Sequence, residues 1–337
     1  MNSAIEWQGS LVAAGYYFPG TGPAAAGYPG AVSPVVWTSD DGGRNWKPTW
    51  SPGTVVLGSD TVQTILATGS GLLLFDGGTG GSALWQSTDG HSFEQVQLPD
   101  SMSALTVAAA TYGDGRVVAV LRNKYTGGPD TAYGEGDQLW TSLDGATWTR
   151  DTLQGQPVLM SITSTATGFL AGGQARSGGP STVWFSPDGV SWQRVTLPGA
   201  SVAVAVGADR DVMVAEARQE PVARLWWSID GVKWFRGQVR GTLLSYPISG
   251  AWLGVAILPV PGGFVTWGTP ASTLWFSATG AVWSKVMAET NSPSLDVEAL
   301  FPDTQGVLAE VAIPTSQSNQ LVYVMSFWQV TLEKVNR

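Results

Sequence analysis

Trp140-Thr141-Ser142-Leu143-Asp144-Gly145-Ala146-Thr147-Trp148 decides how the chain is read, because close copies of it recur along almost the whole sequence. The copies run Trp37 to Trp46, Trp85 to Phe93, Trp140 to Trp148, Trp184 to Trp192, Trp226 to Trp234 and Trp275 to Trp283. Their closing aromatics lie 47, 55, 44, 42 and 49 residues apart. A period of this length is too long for a leucine-rich or ankyrin unit and fits a supersecondary unit of four strands.

Asp-Gly between two runs of alternating apolar and polar residues signals a tight hairpin, because a primed turn needs positive φ and Gly adopts it without strain. With Asp144-Gly145 as a two-residue loop, Ser142 pairs with Thr147 and Thr141 with Trp148, so Trp140 and Trp148 point to opposite faces of the sheet. Both faces are then apolar. A sheet apolar on both faces must be sandwiched, and radial packing of sheets against their neighbours provides this without long exposed edges. The expectation is an all-β, seven-bladed β-propeller of four-stranded antiparallel blades, spanning residues 1–337 as one domain, with six blades as the alternative.

In chain order, each period reads as strands A and B followed by the hairpin C and D. The expected A and B strands are Ser3 to Trp7 and Leu11 to Tyr17, Val62 to Thr68 and Leu72 to Asp76, Leu105 to Thr111 and Val117 to Leu121, Val158 to Thr163 and Phe169 to Gly173, Val202 to Val206 and Val212 to Glu216, and Trp252 to Leu258 and Phe264 to Trp267. Leu295 to Phe301 and Val307 to Val311 read as a seventh A and B pair, and residues 321–330 fill the place of its hairpin without an Asp-Gly turn. Long loops at 18–33 and 122–138 interrupt the first and third periods between B and C.

Composition narrows the function classes. The chain carries 17 Lys and Arg against 26 Asp and Glu, a net charge of −9, which argues against a surface that displaces counterions from phosphates. Nucleic acid is not an expected partner. With no Cys there is no disulfide, thiol nucleophile or thiolate metal site, and one His, His91, rules out a multi-His metal site and a Ser-His-Asp triad. His91 reads as an exposed turn residue, and no cofactor or metal is expected. No apolar run approaches the roughly 20 residues needed to span a bilayer. Met1-Asn2-Ser3-Ala4 lacks the basic and apolar regions of a secretion signal.

The phrase resembles the Asp-box, or BNR repeat, of sialidases, sortilin-type receptors and some xyloglucanases. The family pattern Ser-x-Asp-x-Gly-x-Thr-Trp is matched in length by Ser39-Asp40-Asp41-Gly42-Gly43-Arg44-Asn45-Trp46; later copies are one residue shorter between Asp and Gly. Thr279 replaces the carboxylate in the sixth copy and Phe93 the Trp in the second. The resemblance implies a propeller whose box residues hold structure together. The Ser-, Thr-, Gly- and Gln-rich surface resembles that of secreted or envelope-attached bacterial propellers. The expected location is therefore extracytoplasmic, reached with a trimmed leader, with the cytoplasm as the alternative.

Strand polarity sorts the loops. The A to B turns share a side with the boxes, and the B to C loops lie on the other, where binding residues on a rigid scaffold concentrate. The candidate ligand-binding residues are Tyr17, Tyr28, Arg122, Lys124, Tyr125, Tyr133, Arg176, Glu216 and Arg218, with Phe18 and Tyr246 beside them. Sialidases resembling this layout bind a carboxylate with three Arg, one of them in an Arg-Ile-Pro phrase that this sequence lacks. Its expected inner strands contain no Arg. A glycosidase of another type needs two carboxylates roughly 5–10 Å apart, for which Asp76 with Glu216, or Asp114, Asp130, Glu135 and Asp137, are candidates. The function expected is a non-catalytic scaffold, a monomer with no membrane insertion, that binds a glycan or a protein segment. A glycoside hydrolase and an assembly factor for a larger complex are the alternatives.

Overall fold

The computed structural model describes residues 3–17, 33–52, 62–78, 81–122, 136–151, 153, 155, 157–175, 179–197, 204–219, 222–243, 257–268, 273–286, 296–303, 306–317 and 320–330. These residues are almost entirely strand. The first sheet runs β1 (Ser3–Trp7), β2 (Ser10–Tyr17), β3 (Ser33–Ser39) and β4 (Lys47–Trp50). The second runs β5 (Val62–Thr68), β6 (Gly71–Gly78), β7 (Gly81–Ser87) and β8 (Glu94–Val96). One helical turn, α1 (Asp100–Ser103), leads to the third: β9 (Thr106–Gly113), β10 (Arg116–Arg122), β11 (Gln138–Ser142) and β12 (Thr149–Asp151). The fourth has β13 (Val158–Thr165), β14 (Gly168–Gln174), β15 (Ser181–Ser186) and β16 (Gln193–Thr196), and the fifth β17 (Val204–Asp209), β18 (Val212–Gln219), β19 (Val222–Ser228) and β20 (Phe235–Arg236).

The sixth sheet departs from the expected pattern. Besides β22 (Leu258–Val260), β23 (Gly263–Gly268), β24 (Thr273–Ser277) and β25 (Val282–Val286), it takes a fifth strand, β21 (Gln238–Arg240), paired parallel to β25. At Gly237 the chain leaves the fifth sheet for the sixth: the Gly237 amide donates to the Leu225 carbonyl, and the next amide, Gln238, donates to Ala281. The last sheet has three strands, β26 (Asp296–Asp303), β27 (Gly306–Gln317) and β28 (Gln320–Val330). Its tail is one long strand where a hairpin was expected, because no turn residues interrupt residues 321–330.

The described residues therefore form seven sheets, five of them four-stranded. The chain divides into two compact units, Met1–Ser164 with Ala175–Ser177 and Ser186–Trp192, and Thr165–Gln174 with Gly178–Phe185 and Gln193–Arg337. The A and B strands match the sequence reading to within three residues, except that β27 runs six residues beyond the expected end at Val311 and that residues 251–256, which hold most of the expected sixth A strand, lie outside the described residues. Among the described residues no helix is long and apolar enough to cross a membrane.

Second strands such as Leu72-Leu73-Leu74-Phe75 and Val117-Val118-Ala119-Val120-Leu121 are buried on both faces, as their unbroken apolar runs require. Fourth strands are mostly exposed. Each apolar cluster joins two consecutive sheets. Phe75, Leu84 and Val107 bury with Trp140 and Trp148; Leu170, Val183 and Val206 with Trp226; and Val214 and Leu225 with Phe264, Trp275 and Trp283.

These clusters correct the expected hairpin. Thr141 pairs with Thr149 and not Trp148, and Gln86 with Glu94, Trp227 with Phe235 and Phe276 with Ser284 in the same way. Trp148 thus lies in the turn, and both Trp140 and Trp148 pack toward the preceding sheet. The cause is the Asp144 carboxylate, which shapes a turn longer than two residues. Its Oδ1 accepts the amides of Ala146 and Thr147 at 2.8 and 2.7 Å, and Oδ2 accepts the Thr147 hydroxyl at 2.9 Å. Ser142 Oγ accepts the Gly145 amide, and the Trp148 indole donates to the Gly145 carbonyl at 3.0 Å.

Asp89, Asp188 and Asp230 each accept two successive amides in the same way, whereas Asp41 accepts the Asn45 amide and side chain and the Ser39 hydroxyl. In the sixth turn Thr279 accepts the Ala281 amide at 3.3 Å, and the Trp283 indole still donates to Gly280. These donors hold Asp41 and Asp144 at a pKa of about 2, and push Asp89 and Asp188 lower still.

The turn glycine also sets the distance between sheets. Gly231 has φ +70°, and a methyl group placed on it would lie 2.5 Å from Cγ of Phe185 on β15. Gly42 has φ +72° but faces open space. Gly42→Ala is expected to cost only the left-handed backbone penalty of about 1–2 kcal/mol. Gly231→Ala is expected to lose roughly a further 1–3 kcal/mol to overpacking, read as a difference in urea midpoints; equal losses would show that Phe185 yields freely.

Candidate functional site

Second strands end at the side away from the turn phrases, and three candidate residues sit on those ends. Tyr17 closes β2 opposite Ser33, Arg122 closes β10 opposite Thr106, and Arg218 lies near the end of β18 opposite Ala223. The A to B turns lie with the turn phrases, as expected: a methyl on Gly71 would collide with the Ser87 carbonyl, and one on Gly263 with that of Ser277. Tyr28, Lys124, Tyr125, Tyr133 and Arg176, with Phe18 and Tyr246, lie outside the described residues.

Arg122 is part of a clamp at the root of the 123–136 loop. Its Nε and Nη2 donate to Asp137 Oδ1 and Oδ2 at 2.9 and 2.8 Å, and Nη2 also donates to the Leu159 carbonyl at 2.8 Å. Asp137 Oδ2 accepts the Leu159 amide at 2.7 Å, while its own amide donates to Pro157. The Asp137 side chain is buried and that of Arg122 about one third exposed, at 34%. The planar guanidinium suits this two-point contact. One ion pair thus closes the loop at its base and ties it to β13.

Glu216 lies between two sheets. It is 1% exposed on β18, and Thr266 of β23 donates its hydroxyl to Oε2 at 2.6 Å. Asp76 does not occupy the equivalent position. Leu74 stands opposite Trp85 and Ala215 opposite Trp226, so Asp76 is two residues past that landmark and Glu216 one. Relative to the opening Trp of its own sheet, each therefore points to a different face. Asp114 sits in the β9 to β10 turn at φ +47°, whereas Asp137 sits at the far end of β10, seven residues away along the strand. At ~3.3 Å per residue these two carboxylates are over 20 Å apart, too far to act on one bond. Asp130 and Glu135 lie outside the described residues.

One carboxylate that sequence reasoning missed is Asp151, on β12. Burial pushes its pKa up to about 6; Arg116 and a hydrogen bond from Thr141 pull it down, and the nearby Asp188 charge adds to the rise. Its Oδ2 is buried without a hydrogen bond among the described residues. Its place in the Thr-Arg-Asp strand after the turn phrase would have signalled this only with the correct register, which sets Asp151 opposite Leu139.

No family model matches the chain, and no curated protein does. Solved structures do. A streptogramin B lyase superposes with a TM-score of 0.54 at 11% identity, covering 88% of this chain and 94% of that one. YCF48 bound to D1 peptide gives 0.53 at 13% identity, covering 91% and 90%. The fold is a β-propeller. An ancestral GH74 enzyme gives 0.52 at 14% identity over 87% of this chain and 44% of its own length. Identities this low carry the propeller fold and no more.

Because the folded pKa of Asp151 lies above its ordinary value of 3.8, ionisation opposes folding. Its contribution to stability is full below pH 4 and is lost as pH rises through 6. Asp151→Asn is expected to raise the thermal midpoint at pH 8 and to change it little at pH 4, as followed by circular dichroism. A shift of equal size at both pH values would show that the carboxyl does not titrate in this window.

Proposed function

We propose that the chain is a seven-bladed propeller of the Asp-box type that serves as a non-catalytic binding scaffold outside the cytoplasm. It takes a glycan or an extended protein segment on the side of the B to C loops, with Tyr125 and Tyr133 supplying aromatic contacts. The observation that carries this reading is the Arg122 to Asp137 clamp. A half-buried, charge-assisted contact with four hydrogen bonds fixes the root of a loop rich in Tyr and charge. Fixing a loop at its base lowers the ordering cost of binding at its tip. The turn networks match the structural role that the Asp-box resemblance implies.

Two of the carboxylates a glycosidase would draw on are engaged in packing: Glu216 with Thr266 and Asp137 with Arg122. This favours binding over hydrolysis, although the name of one structural neighbour is that of a GH74 enzyme. A protein segment gains support from the likeness to YCF48, whose structure holds a bound D1 peptide. An assembly role in a larger complex is the alternative reading.

The test is glycan-array and peptide-array binding of the purified chain, run beside a panel of fluorogenic glycosides. Binding without turnover, weakened about tenfold by Tyr125→Ala with Tyr133→Ala, is the expected outcome. Turnover of any glycoside overturns the non-catalytic reading. Binding that the double variant leaves intact overturns the assignment to these loops.

A further inference from the structure

The acidic chain contains one basic region. Between residues 221 and 288 there are five cations, Arg224, Lys233, Arg236, Arg240 and Lys285, and one acid, Asp230, so this stretch carries +4 within a net −9. The fold places four of the cations at or beside the edge where the fifth sheet passes into the sixth, with Lys285 one strand in from β21. Lys233 lies in the fifth turn, Arg236 on β20, Arg240 on β21 and Lys285 on β25, and all four are exposed. None has a carboxylate within ion-pair distance among the described residues.

Apolar side chains stand exposed among them. Ile229 is 61% exposed, Phe235 51%, Val232 38% and Val282 37%. Phe235 packs against Trp227 with ring centroids 5.1 Å apart, and a methyl on Gly280 would lie 3.2 Å from Cβ of Trp227. Gln238 stands opposite Val282 in the β21 to β25 pairing. The turn, the end of β20 and the start of β25 therefore form one continuous edge.

We propose that this edge docks an acidic protein segment carrying apolar side chains, at a surface distinct from the B to C loops. Charge complementarity sets the sign of the partner: four exposed cations, of which Lys233 already acts on the Asp230 carboxylate, favour acidic groups and speed encounter. The aliphatic groups set its class. Ile229, Val232 and Val282 offer a sugar ring no stacking face and a polyanion no charge, whereas an apolar side chain gains by covering them. Exposed Arg and aromatic side chains are also the composition of protein hot spots. Cations at a sheet edge deter strand-to-strand aggregation as well, a role that glutamate at the same positions would preserve.

The experiment is fluorescence anisotropy of a labelled dodecapeptide, Glu-Leu-Phe-Glu repeated three times, titrated with the whole chain at low and high salt. The expected result is binding that weakens with salt, falls about tenfold in Arg236→Glu with Arg240→Glu, and falls about threefold in Phe235→Ala. These side chains are exposed, and unchanged circular dichroism and thermal midpoints identify variants that remain folded. The proposal is overturned by absence of binding, by equal binding of the peptide with Gln at every Glu, or by indifference to charge reversal. It is also overturned if a heparin dodecasaccharide binds more tightly and ignores Phe235→Ala, which would mark a polyanion site. Self-association in sedimentation velocity that the same charge reversal abolishes would replace the proposed partner with a second copy of the chain.

Discussion

A carboxylate that accepts two successive backbone amides is the contact on which the rest of this structure depends. In the third turn Asp144 gathers the amides of Ala146 and Thr147 and leaves Gly145 at φ +75°. That winding brings Trp148 back under its own turn, where its indole meets the Gly145 carbonyl. The ring then faces the sheet before it, edge-on to Phe75 at 5.8 Å. Local hydrogen bonding, turn shape and sheet-to-sheet packing are thus consequences of one side chain. Repetition of that side chain produces a repeated interface, and stability in such arrays is shared between each unit and its neighbours.

The sequence reading recovered periodicity well and geometry less well. Strand positions followed from apolar runs and from the phrase itself, so β1 and β5 begin and end where the pattern predicts. The hairpin register did not follow, because Asp-Gly signals a tight turn only when the Asp side chain leaves the backbone alone. In these turns it binds the backbone, and pairing resumes after the closing aromatic. That shift carries Trp148 from a strand face into a turn, and it conceals the burial of Asp151. The strand β21 was also illegible: Gln238-Val239-Arg240 has no distinctive pattern, and its partner lies more than forty residues ahead.

Several residue types that suggest chemistry serve packing in this chain. Glu216 looked like an active-site candidate because it is an acid near a strand end, yet it lies between sheets against Thr266. Burying a carboxylate is costly unless it is hydrogen-bonded, and Thr266 supplies such a bond. Arg122 looked like a loop cation and instead fixes the base of the loop. The backbone positions of Tyr17 and Arg218 agree with the loop side expected of them. The distinction turned on strand register, which composition cannot report.

The crossing at Gly237 binds the fifth and sixth sheets more closely than side-chain packing alone would. From two consecutive amides the main chain gives one hydrogen bond to Leu225 and the next to Ala281. Neither sheet can loosen its edge without disturbing backbone bonds of the other. Local opening here is therefore a joint event, and the two sheets form a single cooperative unit for amide exchange. A break in the chain at this crossing would uncouple them, whereas a break in a loop within either sheet would leave the coupling in place.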